Sequence, residues 1–348
     1  MDAANDTGSR SAERGGTLRL ALPSDGELYE SSLSFLRACG MPVERASSRR
    51  YTGRLPSVPD TVALFQRASD IPAKVEEGSA DLGIAGLDRF METRREGGDA
   101  VIVLEALRFG RCELLFAVPD GWVDVTTLAD LGDLAIEFRA TGRELRVATK
   151  YPRLVQRALA SQGIHYITLI PASGTLEAAP AIGYADLIAD LTGTGTTLRE
   201  NRLRPLDDGS ILVSQACLIA NRRLLAEEGG KLSRARAILE RIEGNLRAQD
   251  YCSVSANVQG ASEQEVAAYV RGRPELAGIE GPTVSPVFSS DGLRWFDVGV
   301  LVEKVRVLEA VEHLRAIGGD GIRVNQPTYL FLGECRAYQK LVASLEGK

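Results

Sequence analysis

From Thr17 onward, short apolar runs alternate with longer segments of helical periodicity, the pattern of α/β units built on mainly parallel sheets. Leu18 to Leu22 reads as a strand, Pro23-Ser24-Asp25-Gly26 as a turn, and Leu28, Leu33, Phe35 and Leu36 as the apolar face of a helix that stops at Gly40. Asp70 is the expected N-cap of a helix that opens at Ile71-Pro72 and closes at Gly78, before a strand at 80–86. Segments 101–107 and 113–119 read as two more strands. A strand at 145–151 runs into a helix from Pro152 to Gly163, YITLI follows as a strand, and TLEAAPAIG as a short helix. ADLIAD, residues 185–190, is a buried strand whose Asp190 falls at the carboxyl end, where open α/β sheets place ligands. ILVSQACLIAN, residues 211–221, supplies one more strand.

Beyond Lys231 a charged helix, residues 232–249, leads to a second unit with a different rhythm. Its segments read as strand, helix, strand, strand, helix, strand, the ferredoxin-like order. This unit carries no catalytic apparatus of its own, and its alternating strands suit packing or effector binding. A short amphipathic helix ends the chain.

Composition narrows the function classes. A chain of 348 residues with 44% hydrophobic and 6% aromatic residues suits two or three ordinary globular domains. A formal charge of -6 argues against broad nucleic-acid binding, which needs a clustered basic face, so an anionic substrate must meet local cations. The five cysteines are scattered and lack CxxC spacing, which argues against a disulfide framework or a zinc site. The two histidines, His165 and His313, stand beside no metal-ligand or Ser-His pattern. The first sixteen residues lack an apolar core, and no run approaches the ~18 apolar residues of a membrane span. A cytoplasmic protein with no membrane partner is expected.

The segment with most chemistry is ADLIADLTGTGTTLRENRL, residues 185–203. Gly193 and Gly195 let backbone N–H groups approach an oxyanion closely, and Thr194, Thr196 and Thr197 add hydroxyl donors. Asp190 at the strand end can accept hydrogen bonds from ribose hydroxyls, so the combination suits a ribose 5-phosphate. The same residues also fit a plain Gly/Thr turn capped by Asp190.

The order of motifs adds to this. SDIPAKVEEGSADLGIAGLD at 69–88, LRFGRCELLFAVP at 107–119, RVATKYPRL at 146–154 and LEAAPAIGYADLIADLTGTGTTLREN at 176–201 together resemble ATP phosphoribosyltransferase, the first enzyme of histidine biosynthesis. The resemblance covers nearly the whole chain after residue 17, and GPTVSP at 281–286 resembles the C-terminal regulatory domain of the family's long form. It implies an α/β fold: a two-lobed catalytic unit like the periplasmic binding proteins, plus a C-terminal ferredoxin-like (ACT-like) α+β domain. The expected organisation is a tail at 1–16, a catalytic unit at 17–228, a linker helix at 229–250, a regulatory domain at 251–326 and a helical tail at 327–348. Within the catalytic unit, lobe 1 is expected at about 17–110 and 193–228, and lobe 2 at about 111–192.

The resemblance implies a glycosyltransferase in which adenine N1 of ATP attacks the anomeric carbon of phosphoribosyl pyrophosphate, releasing pyrophosphate with Mg²⁺ as cofactor. It also implies a hexamer built from dimers and feedback inhibition by histidine. Asp190, Thr192, Gly193, Thr194, Gly195, Thr196, Thr197 and Leu198 match the family's donor loop, Glu177 an acid of the same site, and Asp81 with Gly86 the segment lining the nucleotide pocket. Adenine N1 carries a lone pair at neutral pH, so no strong base is needed and cations matter more. Arg50, Arg67 and Lys150 are the catalytic candidates, with the choice between Arg49 and Arg50 open.

One departure stands out. Where the family usually has a Lys-Gly-Arg-Leu loop after the first strand, this chain has Asp25-Gly26-Glu27-Leu28. Two cations have become two anions, so this loop cannot bind phosphates as its relatives' loops do. Other arginines compensate, or the loop takes a new contact, or activity is altered. A related transferase with another heterocyclic acceptor, and a two-lobed binding protein of weakened activity, are the rival readings.

Overall fold

The chain divides into two units, one of residues up to Arg37, Met41–Ala235 and the end from Lys340, the other of Ala38–Gly40 and Arg236–Gln339. The computed structural model describes residues 16–47, 49–172, 174, 176–227, 229–289 and 292–345, so the expected tail lies outside the described residues except for Gly16.

The first unit opens with β1 (Leu18–Pro23), α1 (Glu27–Ala38), β2 (Thr52–Arg54), β3 (Thr61–Gln66), α2 (Ile71–Glu76), β4 (Leu82–Gly86), α3 (Leu87–Thr93) and β5 (Ala100–Leu104). It continues through β6 (Cys112–Pro119), α4 (Leu128–Ala140), β7 (Leu145–Thr149), α5 (Pro152–Ser161), β8 (Ile167–Pro171), β9 (Leu187–Thr192), α6 (Thr196–Glu200) and β10 (Leu203–Ser214). β11 (Ala216–Asn221), α7 (Arg222–Glu227) and α8 (Gly229–Ala248) follow. Two sheets result, ordered β2-β3-β1-β4-β11-β5 and β10-β6-β9-β7-β8. The unit is therefore two-lobed α/β, as the motif order implies.

The central strands are apolar on both faces because helices cover both sides. Leu18, Leu20 and Leu22 of β1 and every residue of β4 are buried. Full burial of each such leucine contributes about 1.5–3 kcal/mol. Pro152, with φ already helical, starts α5. Thr127 and Asp130 cap α4 reciprocally, and N–H groups of Thr126 and Thr127 push Asp130 down to about 2.

Four expectations change. Residues 211–221 are not one strand: the chain leaves the second sheet at Ser214 and enters the first at Ala216. β10 pairs antiparallel with β6, so lobe 2 extends to Ser214 rather than ending near 192. The apolar run hid this break because both halves are strand-like, although only β11 is buried throughout. Asp70 takes the N-cap position of α2 without a side-chain bond to that helix, accepting instead from Ser69. TLEAAPAIG contains only a 3-10 turn at Leu176–Ala178. The pattern reading also passed over β2, β3, α3, α4 and α7.

The second unit carries β12 (Tyr251–Gln259), α9 (Glu263–Val270), β13 (Thr283–Val287), β14 (Trp295–Glu303), α10 (Val307–Ala316) and β15 (Asp320–Asn325), and α11 (Arg336–Leu345) ends the chain. The sheet order β13-β14-β12-β15 is ferredoxin-like. Period-two burial in β12 and β14 aims Val254, Ala256, Val258, Val298, Val300 and Val302 at Val266, Val270, Ala310 and Leu314 of the two helices.

Candidate functional site

In the second sheet β9, β7 and β8 are adjacent and parallel, so their carboxyl ends share one edge. That edge collects three sequence-predicted elements: Lys150 after β7, Glu177 in the connection after β8, and the Gly/Thr loop after β9. Lys150 Nζ lies 3.6 Å from Asp190 Oδ2, and the Leu191 N–H donates to Asp190 Oδ1 at 2.9 Å. Burial is the main reason that Asp190 titrates above the ordinary carboxylate value, and the charge of Glu177 adds to it, while the Leu191 N–H and Lys150 oppose it.

The loop is held by its own backbone. The Gly195 N–H donates to Thr192 Oγ1 at 3.0 Å, and Gly195 adopts φ +69°, a left-handed conformation that glycine takes at no steric cost. Thr194 and Thr196 hydroxyls lie 3.0 Å apart, and Arg199 Nη2 donates to Thr196 Oγ1 at 3.2 Å. Gly193, Thr194, Thr196 and Thr197 are exposed. Leu198 is the anchor, buried among Leu115, Ala148, Leu176, Ile188 and Leu203. Donors facing outward on a loop with a buried root can receive an anion.

The first lobe meets the second through residues that pattern reading did not select. Asp88, buried in the first turn of α3, accepts from Tyr151 OH at 2.7 Å through Oδ2 and from Ser214 Oγ at 2.7 Å through Oδ1. The Asp88 N–H in turn donates to Ser214 Oγ at 3.0 Å. Burial first, then the Asp88 charge, drives Tyr151 far above a free phenol, so it stays a donor. One turn further, Glu92 accepts from the N–H groups of Arg153 and Leu154, capping α5 across the lobes. Gly86 serves this arrangement, since a Cβ there would lie 2.5 Å from Asp88 Oδ1. Tyr151 and Asp88 sat inside quoted motifs, but nothing local marks a polar residue as buried.

Asp81 is not part of this site. It lies just before the amino end of β4, whereas Gly86 marks the carboxyl end. Its fully buried carboxylate is taken by Arg19, at 2.9 and 3.1 Å from side-chain nitrogens, and by Lys231 at 3.0 Å. The motif match placed it by chain proximity to Gly86, but a strand separates its two ends. Arg67 is exposed just past β3, beside β1, where the Ser24 N–H donates to Gln66 O at 2.7 Å. Arg49 and Arg50 are exposed on a turn that Arg45 ties down, donating to Arg50 O at 2.6 Å and to Tyr29 OH at 3.1 Å. Arg67 thus follows the carboxyl end of a parallel strand of the first sheet.

Comparison with known proteins places the chain among its relatives. Residues 67–244 match the family model described as ATP phosphoribosyltransferase, and residues 248–326 that of the family's C-terminal domain. The chain is 40% identical to "ATP phosphoribosyltransferase 2, chloroplastic" of Arabidopsis thaliana, over 94% of this chain and 80% of that protein. It is 34% identical to the ATP phosphoribosyltransferase of Bradyrhizobium sp. (strain ORS 278), over 95% of this chain and 99% of that protein. Among solved structures, the ATP phosphoribosyl transferase (HisG:HisZ) complex from Thermotoga maritima matches with a TM-score of 0.50 at 30% identity, covering 65% of this chain and 99% of that one.

Proposed function

The chain belongs to the ATP phosphoribosyltransferase family, which joins phosphoribosyl from phosphoribosyl pyrophosphate to N1 of ATP as the first step of histidine biosynthesis, and from that premise we propose which residues do the work. The observation that carries the proposal is the Lys150–Asp190 pair, at 3.6 Å, on the same sheet edge as the exposed Gly/Thr loop. The loop from Thr192 to Thr197 binds the donor's 5-phosphate through N–H and hydroxyl donors. Asp190 accepts from the ribose hydroxyls, and Lys150 opposes its protonation. Arg50 and Arg67 approach from the first lobe and meet phosphates. Gly86 marks the acceptor side.

Adenine N1 attacks with its own lone pair, so these residues orient the reactants and stabilise charge on the departing pyrophosphate. Among the described residues no group of three or more His, Cys, Asp or Glu could hold a metal. Mg²⁺ is commonly bound by one or two carboxylates plus substrate phosphates. Asp190 and Glu177 are the carboxylates that would face it, and when bound it neutralises pyrophosphate charge. Histidine as feedback inhibitor through the ferredoxin-like unit, a hexamer built from dimers, and a cytoplasmic setting complete the reading. No helix among the described residues is long and apolar enough to cross a membrane.

The test is turnover of phosphoribosyl pyrophosphate and ATP with Mg²⁺ and pyrophosphatase, read as absorbance of the N1-ribosylated product, with and without histidine. Pyrophosphate release only with another base would favour a different acceptor. If Asp190→Asn and Thr197→Ala leave donor affinity unchanged, the donor site lies elsewhere.

A further inference from the structure

Arg89 follows Asp88 in the first turn of α3, just beyond the carboxyl end of β4. Its guanidinium carbon lies 4.7 Å from the centroid of the Tyr151 ring, and it is only partly exposed. Among the described residues this guanidinium takes part in no ion pair or hydrogen bond. The ring beneath it is fixed, because Tyr151 donates to Asp88 through its hydroxyl and to Thr149 Oγ1 through its backbone N–H. An arginine stacked on an aromatic face keeps the N–H donors along its edge available, in a planar fork that matches phosphate oxygens.

The location gives that fork a purpose. Tyr151 is the chain neighbour of Lys150, whose ammonium reaches Asp190. The Tyr151 phenol feels both charges: Asp190 raises its titration and Arg89 lowers it, behind the larger effects of burial and Asp88. Arg89 thus lies beyond the carboxyl end of β4 in the first lobe, stacked on the residue that follows Lys150 in the second. On the same sheet β1 pairs with β4, and Asp25 in the turn after β1 and Glu27 at the start of α1 are both acidic. A pyrophosphate beside two carboxylates needs a cation from another element, and Arg89 supplies one from α3, the helix that follows β4.

We propose that Arg89 is a catalytic residue that binds the pyrophosphate group of the donor, with its stack on Tyr151 setting the direction of the fork. This rests on the donor-site reading given above. The 5-phosphate is left to the Gly/Thr loop, and the two anionic ends of the donor are thereby held by different lobes.

The experiment compares the parent enzyme with Arg89→Gln and Arg89→Lys, by steady-state kinetics and by calorimetric titration of pyrophosphate. Arg89→Gln should lower kcat/KM for phosphoribosyl pyrophosphate by about tenfold or more and weaken pyrophosphate binding to a similar degree. Arg89→Lys should recover part of both, and KM for ATP at saturating donor should stay within about twofold of the parent. The proposal is overturned if donor kcat/KM survives in Arg89→Gln. It is equally overturned if both variants melt lower and lose donor and ATP alike, because the arginine is then only a cover for Tyr151. A parent enzyme without turnover would count against the functional reading instead, and the pyrophosphate titration would still judge Arg89.

Discussion

Lys150 Nζ stands 3.6 Å from Asp190 Oδ2, close enough for attraction but not for a short hydrogen bond, on a carboxylate that burial pushes upward. Desolvation thus outweighs the single cation, leaving Asp190 easier to protonate than an ordinary aspartate. A raised acid pKa makes the native state hold a proton that the unfolded chain has released. Stability from this group is present below 3.8 and is lost as pH rises through the raised range. Donor binding runs the other way, since the ionised form accepts from ribose. The pH profile of kcat/KM for the donor should therefore fall on acidification at a pH above 3.8, and Asp190→Asn should abolish that inflection. An inflection that persists in the variant would assign it to another group.

Asp81 should behave as a structural residue. Asp81→Asn leaves Arg19 and Lys231 facing a neutral amide in a buried place, a loss of about 3–5 kcal/mol. Urea denaturation should show this cost. KM for ATP measured on the folded fraction should stay within about twofold of the parent.

Gly86→Ala tests the lobe contact. The added methyl would meet Asp88 Oδ1 at 2.5 Å and turn the carboxylate away from Tyr151 and Ser214. Leaving those buried hydroxyls unpaired should cost about 1–3 kcal/mol in thermal or urea denaturation, and kcat should fall with it.

Gly193 and Gly195 should part company when changed to alanine. Gly195 has φ +69°, so Gly195→Ala should lose about 1–2 kcal/mol of loop stability and weaken donor binding. Nothing lies within 4 Å of a Cβ at Gly193, and its φ is not positive, so Gly193→Ala should leave the melting temperature unchanged. Any loss of donor affinity in that variant would then report how closely the ligand approaches.

Much of the site was legible from local pattern. Asp190 and the Gly/Thr turn are read from a few adjacent residues, because a strand end followed by small flexible residues is a local feature, whereas Lys150 came with the family resemblance. Arg89 and Ser214 were not legible, and Tyr151 appeared only as a letter within a motif. Their roles come from Asp88, 63 residues from Tyr151 and 126 from Ser214 in the chain.

By itself the amino-acid sequence determined the α/β class, the ferredoxin-like unit and the apolar strands that end at the donor loop. Hydrophobic periodicity records which face of each segment leaves water, and that is decided within a few residues. Only the tertiary structure decided that the run at 211–221 serves two sheets, that Asp81 is an internal counterion, and that α3 carries the contacts between the lobes. Those outcomes depend on which distant segment each element packs against, and a polar residue looks the same in sequence whether it faces solvent or is buried with a partner.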